Sequence, residues 1–131
     1  MSRRSFILMT LFFSAIGAVG ISSAAQDAAE SKKFYEKVVE AQPKNANAHF
    51  DLANVYLMEK RYDEALKHYE KAGTLGLAAL RMDSYYFNMA VCYAGLGSIK
   101  DAIESLGKCL KVNPKHANAA SLLDLYKNKS P

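Results

Sequence analysis

A stretch of this chain comes back 37 residues later. Ala48-His49-Phe50-Asp51-Leu52-Ala53-Asn54-Val55-Tyr56 returns as Tyr85-Tyr86-Phe87-Asn88-Met89-Ala90-Val91-Cys92-Tyr93, with Phe, Ala and Tyr identical. Asp63-Glu64-Ala65-Leu66 returns at the same offset as Lys100-Asp101-Ala102-Ile103. A constant offset of this size marks stacked helical hairpins, in which each unit buries its apolar face against its neighbour. Such stacks present surfaces to other molecules and seldom carry chemistry of their own.

Each unit reads as two helices. Phe50, Leu52, Ala53 and Tyr56 have helical spacing, Arg61-Tyr62-Asp63 marks a break, and Ala65, Leu66, Tyr69 and Ala72 form a second apolar stripe. Gly73 and Gly76 are expected to end that helix. The second unit runs Tyr86, Met89, Ala90, Tyr93, turns at Gly95-Leu96-Gly97, continues through Ala102, Ile103, Leu106 and Cys109, and stops at Asn113-Pro114.

These residues resemble the tetratricopeptide repeat family. Its pattern of a large aromatic, Leu, a small residue and Tyr on the first helix falls on His49, Leu52, Ala53, Tyr56 and on Tyr86, Met89, Ala90, Tyr93. Its second-helix pattern falls on Ala65, Tyr69, Ala72 and on Ala102, Leu106, Cys109, Pro114. The first unit lacks its closing proline; Gly76-Leu77-Ala78-Ala79-Leu80 intrudes instead, lengthening the repeat beyond the family's ~34 residues. The segment ending at Pro43 looks like the second half of an earlier repeat, and Ala117–Leu123 like the first helix of a later one. The resemblance implies an all-α fold, a right-handed superhelical stack of antiparallel helix pairs with about six helices. We divide it into a half repeat at 28–43, repeats at 46–76 and 83–114, and a terminal helix at 116–128.

The amino terminus reads as an address. Arg3-Arg4 precedes an uncharged stretch from Phe6 to Ile21, followed by Ser22-Ser23-Ala24-Ala25, the order of a secretory signal cut before Gln26. A helix over 6–21 would span about 24 Å, short of the ~30 Å hydrocarbon core. Extending it through Ala25 makes it long enough for an uncleaved anchor, so both readings stand. The expectation is a periplasmic or secreted domain at 26–131, with a membrane-anchored form as the alternative. Loss of Arg3 and Arg4 lowers the formal net charge from +4 to +2. The remaining lysines sit beside acids (Glu36/Lys37, Glu64/Lys67, Glu70/Lys71), which reads as a solvated surface and not a nucleic-acid interface.

No catalytic, cofactor or metal constellation is legible. His49, His68 and His116 lack metal-ligand spacing; His49 reads as filling an aromatic core position, His68 as lying on an exposed face, and His116 as preceding the last helix. Gly95-Leu96-Gly97 has neither a preceding strand nor a following Lys-Ser/Thr. Cys92 and Cys109 fall ~10 Å out of step across the hairpin, too far for a disulfide. The chain is therefore expected to be a non-enzymatic interaction module, scaffold or assembly adaptor, needing no cofactor.

In the family the first helices line a concave groove. Residues of those helices not committed to hairpin packing are Asn47, Phe50, Asp51, Asn54, Leu57 and Met58 in one unit and Ser84, Phe87, Asn88 and Val91 in the next. For Phe50 and Phe87, packing between repeats is an equal alternative. Asn54 and Asn88 match the asparagines with which some family members clamp a partner's terminal carboxylate, but Phe50, Asn118 and Leu122 stand where that clamp has cations. The expected occupant is an apolar or amphipathic protein segment. Incomplete polar capping at Phe34, Val38, Leu122 and Leu125 raises end-to-end self-association.

Overall fold

The structure, a computed structural model, describes residues 25–129, of which 25–34 belong to one compact unit and 35–129 to another. The readings made on residues 1–24 lie outside the described residues. Helix α1 covers 25–41, its residues 25–34 in the first unit and 35–41 in the second. In the first unit the Ser31 hydroxyl donates to the Asp27 carbonyl at 2.8 Å.

The second unit continues with α2 (Ala46–Met58), α3 (Tyr62–Leu75), a short 3-10 turn (Ala79–Arg81), α4 (Met82–Gly95), α5 (Ile99–Val112) and α6 (Ala117–Lys129). Six α-helices and no strand occur among the described residues, as the all-α reading requires. None of these helices is long and apolar enough to cross a membrane.

Short polar side chains set the helix starts. Asn45 Oδ1 accepts the Ala48 amide at 3.1 Å and satisfies one of the donors left over at the start of α2. His116 does the same for α6, its Nδ1 accepting the Ala119 amide at 3.1 Å. Asn113 Nδ2 donates to Asp83 Oδ2 at 2.9 Å and ties the end of α5 back to the start of α4. That bond, with the Ser84 amide, holds the Asp83 carboxyl below its ordinary value.

The helices pair as α2 with α3 and α4 with α5, with α6 against α5. Alanines sit where backbones approach: Ala53, Ala65, Ala72 and Ala102 are wholly buried and Ala90 nearly so. One core cluster gathers Phe50, Leu66, Tyr69, Leu77, Tyr85, Met89 and Cys92; a second gathers Ala90, Ala102, Leu106, Cys109 and Ala119. Tyr86 and Tyr93 pack against both and join them. Cys92 and Cys109 are buried free thiols. Burial pushes the Cys92 thiol up to about 12, so it is a packing group and not a nucleophile at neutral pH.

Two expectations need correction. Gly73 does not end α3, which runs on to Leu75 and closes at Gly76 with φ +92. Gly73 is glycine for space: a Cβ there would lie 2.3 Å from the Tyr85 hydroxyl, so α3 yields room for that phenol. His68 is not on an exposed face. It is half-buried, stacked on Tyr56 at 5.5 Å and on His49 at 5.4 Å. Counting His as polar misplaces it, because an imidazole packs flat against aromatic rings.

Candidate partner-binding groove

On a helix advancing 100° per residue, Asn47, Phe50, Asp51, Asn54, Leu57 and Met58 share one side of α2, and Ser84, Phe87, Asn88 and Val91 share one side of α4. The two helices lie against each other in the second unit. What joins these faces is an amide bridge. Asn88 Nδ2 donates to Asn54 Oδ1 at 3.0 Å, and the Tyr69 hydroxyl donates to the same oxygen at 2.5 Å. Tyr69 is wholly buried, and desolvation holds its hydroxyl protonated far above neutral pH. Asn54 is thus fixed from below by a core tyrosine and from the side by the next repeat. Its Nδ2 and the Asn88 Oδ1 take no further hydrogen bond among the described residues.

The other candidates separate into three groups. Phe50 is only 6% exposed and meets Tyr69 edge-on at 5.7 Å; it belongs to the core, so the packing alternative applies to it. Phe87 is half-buried, its ring 4.8 Å from His116, and links α4 to the start of α6. Leu57 and Val91 are half-buried, whereas Asn47, Ser84 and Met58 are exposed, Met58 to 81%.

Asp51 is not a lone anion. Arg81 Nη1 donates to Asp51 Oδ1 at 2.9 Å, while its guanidinium carbon stands 5.3 Å from the Phe50 ring centroid. Sequence reasoning missed Arg81, which directly follows the inserted segment and lies outside the repeat register. Its only available signal was a cation next to a helix start. The ion pair cancels the one charge on this face and leaves a local dipole. The arrangement offers an amide donor and acceptor beside apolar side chains, which suits the backbone and side chains of another polypeptide. Among the described residues no group of three or more His, Cys, Asp or Glu could hold a metal ion.

Comparison with known proteins agrees with this geometry. Two models described as tetratricopeptide repeat match residues 23–74 and 83–116. Hsp70-Hsp90 organizing protein 3 of Arabidopsis thaliana is 30% identical over 95 residues, covering 72% of this chain and 16% of that protein. The mitochondrial import receptor subunit TOM70 of Saccharomyces cerevisiae is 32% identical over 79 residues, 60% of this chain and 12% of the relative. The chain therefore spans less than a fifth of the length of these relatives. Among solved structures, the Arabidopsis OM64 TPR domain superposes with a TM-score of 0.72 at 14% identity, covering 85% of this chain and 89% of that one. The first TPR of Spaghetti (RPAP3), bound to the HSP90 peptide SRMEEVD, gives 0.71 at 17% identity, covering 83% and 84%. With two units in register, paired helices closed on buried alanines and these matches, the chain belongs to the tetratricopeptide repeat family.

Proposed function

We propose that this chain is a non-enzymatic adaptor that holds a segment of a partner protein along α2 and α4. The observation that carries the reading is the Asn54–Asn88 bridge, which aligns one amide from each repeat and leaves a donor and an acceptor for a partner's backbone. The HSP90 peptide bound by the RPAP3 domain supports peptide capture as a use of this fold. A terminal-carboxylate clamp is not the form it takes here, because Arg81 is already neutralised by Asp51 and Phe50 is in the core.

Asn88→Ala tests the groove. It removes the bridging amide without touching the Tyr69–Asn54 bond, and it should weaken a selected peptide ligand by about 1 kcal/mol, roughly fivefold. Amidating the ligand's C-terminus should change nothing, and salt should matter little. Isothermal titration of wild type and variant reads all three; unchanged affinity in Asn88→Ala sinks the groove assignment.

The placement we propose is the cell envelope, by export and cleavage before Gln26, because Arg3-Arg4 and the uncharged Phe6–Ile21 stretch have the order of a signal. The membrane-anchored form keeps residues 6–25. Intact mass of the isolated protein separates the two, and a mass that retains Met1 overturns cleavage. No nucleic-acid role is proposed, since the lysines alternate with acids. End-to-end association of copies through α6, where Leu125 is 44% exposed, is a second reading that sedimentation tests directly.

A further inference from the structure

Tyr85, Tyr86 and Tyr93 project from the side of α4 turned away from the candidate groove, and with residues of α5 they line a cleft of about 270 Å³. That is smaller than the roughly 300–1,000 Å³ pockets of small-molecule ligands, and it suits one side chain of a longer segment. The first repeat shows what such a place holds. There the Arg61 guanidinium lies 4.8 Å over the Tyr56 ring, and its Nη2 donates to Glu64 Oε1 at 2.7 Å. The backbone at this point repeats 37 residues on: Arg61 N bonds to Tyr56 O, and Ser98 N to Tyr93 O.

The second repeat therefore keeps the receptor and lacks the arginine. Tyr93 stands for Tyr56 and Asp101 for Glu64, but Ser98 stands for Arg61. Ser105 replaces His68, whose imidazole fills the corresponding space against Tyr56, and this opens the cleft. Glu104 replaces Lys67, which adds an anion to the rim; Lys108 is paired with Glu104 at 2.8 Å. Asp101 has no ion pair among the described residues. Burial, then the nearby carboxylates Glu70, Asp101 and Glu104, hold the Tyr93 hydroxyl protonated to higher pH, with Lys108 opposing.

We propose that this cleft takes an arginine side chain of a partner protein, its guanidinium stacked on Tyr93 and paired with Asp101. Arginine suits it better than lysine because a planar guanidinium both stacks on an aromatic face and forks onto a carboxylate. The site lies on the opposite side of α4 from the groove, so it is independent of the reading proposed above.

The test uses the chain as isolated and an acetylated, amidated Gly-Ser-Arg-Ser-Gly peptide, with versions carrying lysine or citrulline in place of arginine. Binding is followed by NMR shifts of the tyrosine rings and backbone amides. The arginine peptide should give saturable shifts centred on Tyr86, Tyr93 and Asp101. Citrulline should bind at least tenfold more weakly and lysine several-fold more weakly. Asp101→Asn, on the exposed face of α5, should cost the arginine peptide about tenfold while lowering the melting midpoint only slightly, since it removes one anion from the first turn of α5. Equal binding of arginine and citrulline peptides, lysine matching arginine, or shifts centred on Asn54 and Asn88 would each overturn the assignment.

Discussion

At the turn joining its paired helices, each repeat makes the same three backbone hydrogen bonds. Glu59 N to Val55 O, Lys60 N to Leu57 O and Arg61 N to Tyr56 O are matched by Leu96 N to Cys92 O, Gly97 N to Ala94 O and Ser98 N to Tyr93 O. The interiors behind these turns are held by different forces. In the first repeat Tyr69 bonds to Asn54, and His49 and His68 meet at 3.1 Å between their Nδ1 atoms. At the matching places the second repeat has Leu106 and Val91, and Tyr86 and Ser105. Cys109 fills the place of Ala72, both wholly buried. One backbone thus tolerates a hydrogen-bonded interior and an apolar one. The register is set by the small residues both repeats share, Ala53 with Ala90 and Ala65 with Ala102, and the larger side chains are free to differ.

The largest effect should come from the apolar side of this contrast. Leu106 is wholly buried in one cluster with Ala90, Ala102, Cys109 and Ala119. Leu106→Ala removes transfer energy and leaves a cavity, which should cost about 2–5 kcal/mol in urea melts. A cost near zero would mean that the second repeat is loosely packed and that the contrast between the interiors is misplaced.

Asn54→Ala is the counterpart in the first repeat and should cost about 1–3 kcal/mol. The loss is not the bond alone. The Tyr69 hydroxyl stays in the core without an acceptor, and an unmatched buried donor is worse than a missing pair. Tyr69→Phe combined with Asn54→Ala should recover part of that cost, because it removes the stranded donor. Failure of the double variant to recover stability would show that Asn54 acts by packing and not as an acceptor. Asn54 therefore has a structural duty as well as a place in the groove, and Asn88 is the cleaner probe of binding.

The histidine pair makes the first repeat sensitive to pH where the second is not. His49 Nε2 donates to the Pro43 carbonyl at 2.8 Å, so its Nδ1 accepts from His68 Nδ1–H. Burial, then the neighbouring His49, lowers the His68 pKa from the usual 6.5, with Glu36 opposing. A base whose folded pKa is depressed binds fewer protons folded than unfolded, so its contribution is present above pH ~6.5 and is lost as pH falls toward the folded value. Melts between pH 5 and 7 should show stability falling with acid, and His68→Gln should flatten that limb. An unchanged slope in the variant would assign the acid sensitivity to other groups.

Much of this was legible in the chain. The constant offset and the alanines at matching places fixed the helix pairing, because close backbone approach admits few residue types. Tyr56 and Tyr93 stood out because the same residue recurs at that offset. What escaped were contacts that periodicity does not encode. Arg81 reaches Asp51 from outside the repeat, and Gly73 is small because of Tyr85, a residue of the next helix. His68 was misread because its character depends on what it stacks against. The Asn54–Asn88 pair was visible as two amides on matching faces, but that each binds the other, and that Tyr69 claims the same oxygen, follows only from their placement in space.

The smallest effect concerns the turns themselves. Lys60 and Gly97 occupy the same position, both with positive φ, 59° and 80°. A side chain in this left-handed region crowds the following carbonyl, and glycine does not. Lys60→Gly removes that strain but gives the unfolded chain more freedom, so the two effects partly cancel. The net gain expected is about 0.5 kcal/mol. Gly97→Ala introduces the strain and stiffens the unfolded chain; at a positive φ the strain dominates, for a loss of about 1 kcal/mol. The two substitutions should therefore move the melting midpoint in opposite directions. Neither should alter peptide binding at Asn88, which lies about two helical turns before the end of α4. If Lys60→Gly destabilised the protein, the lysine side chain would be making a favourable contact at this turn, and the two turns would be alike only in their backbone.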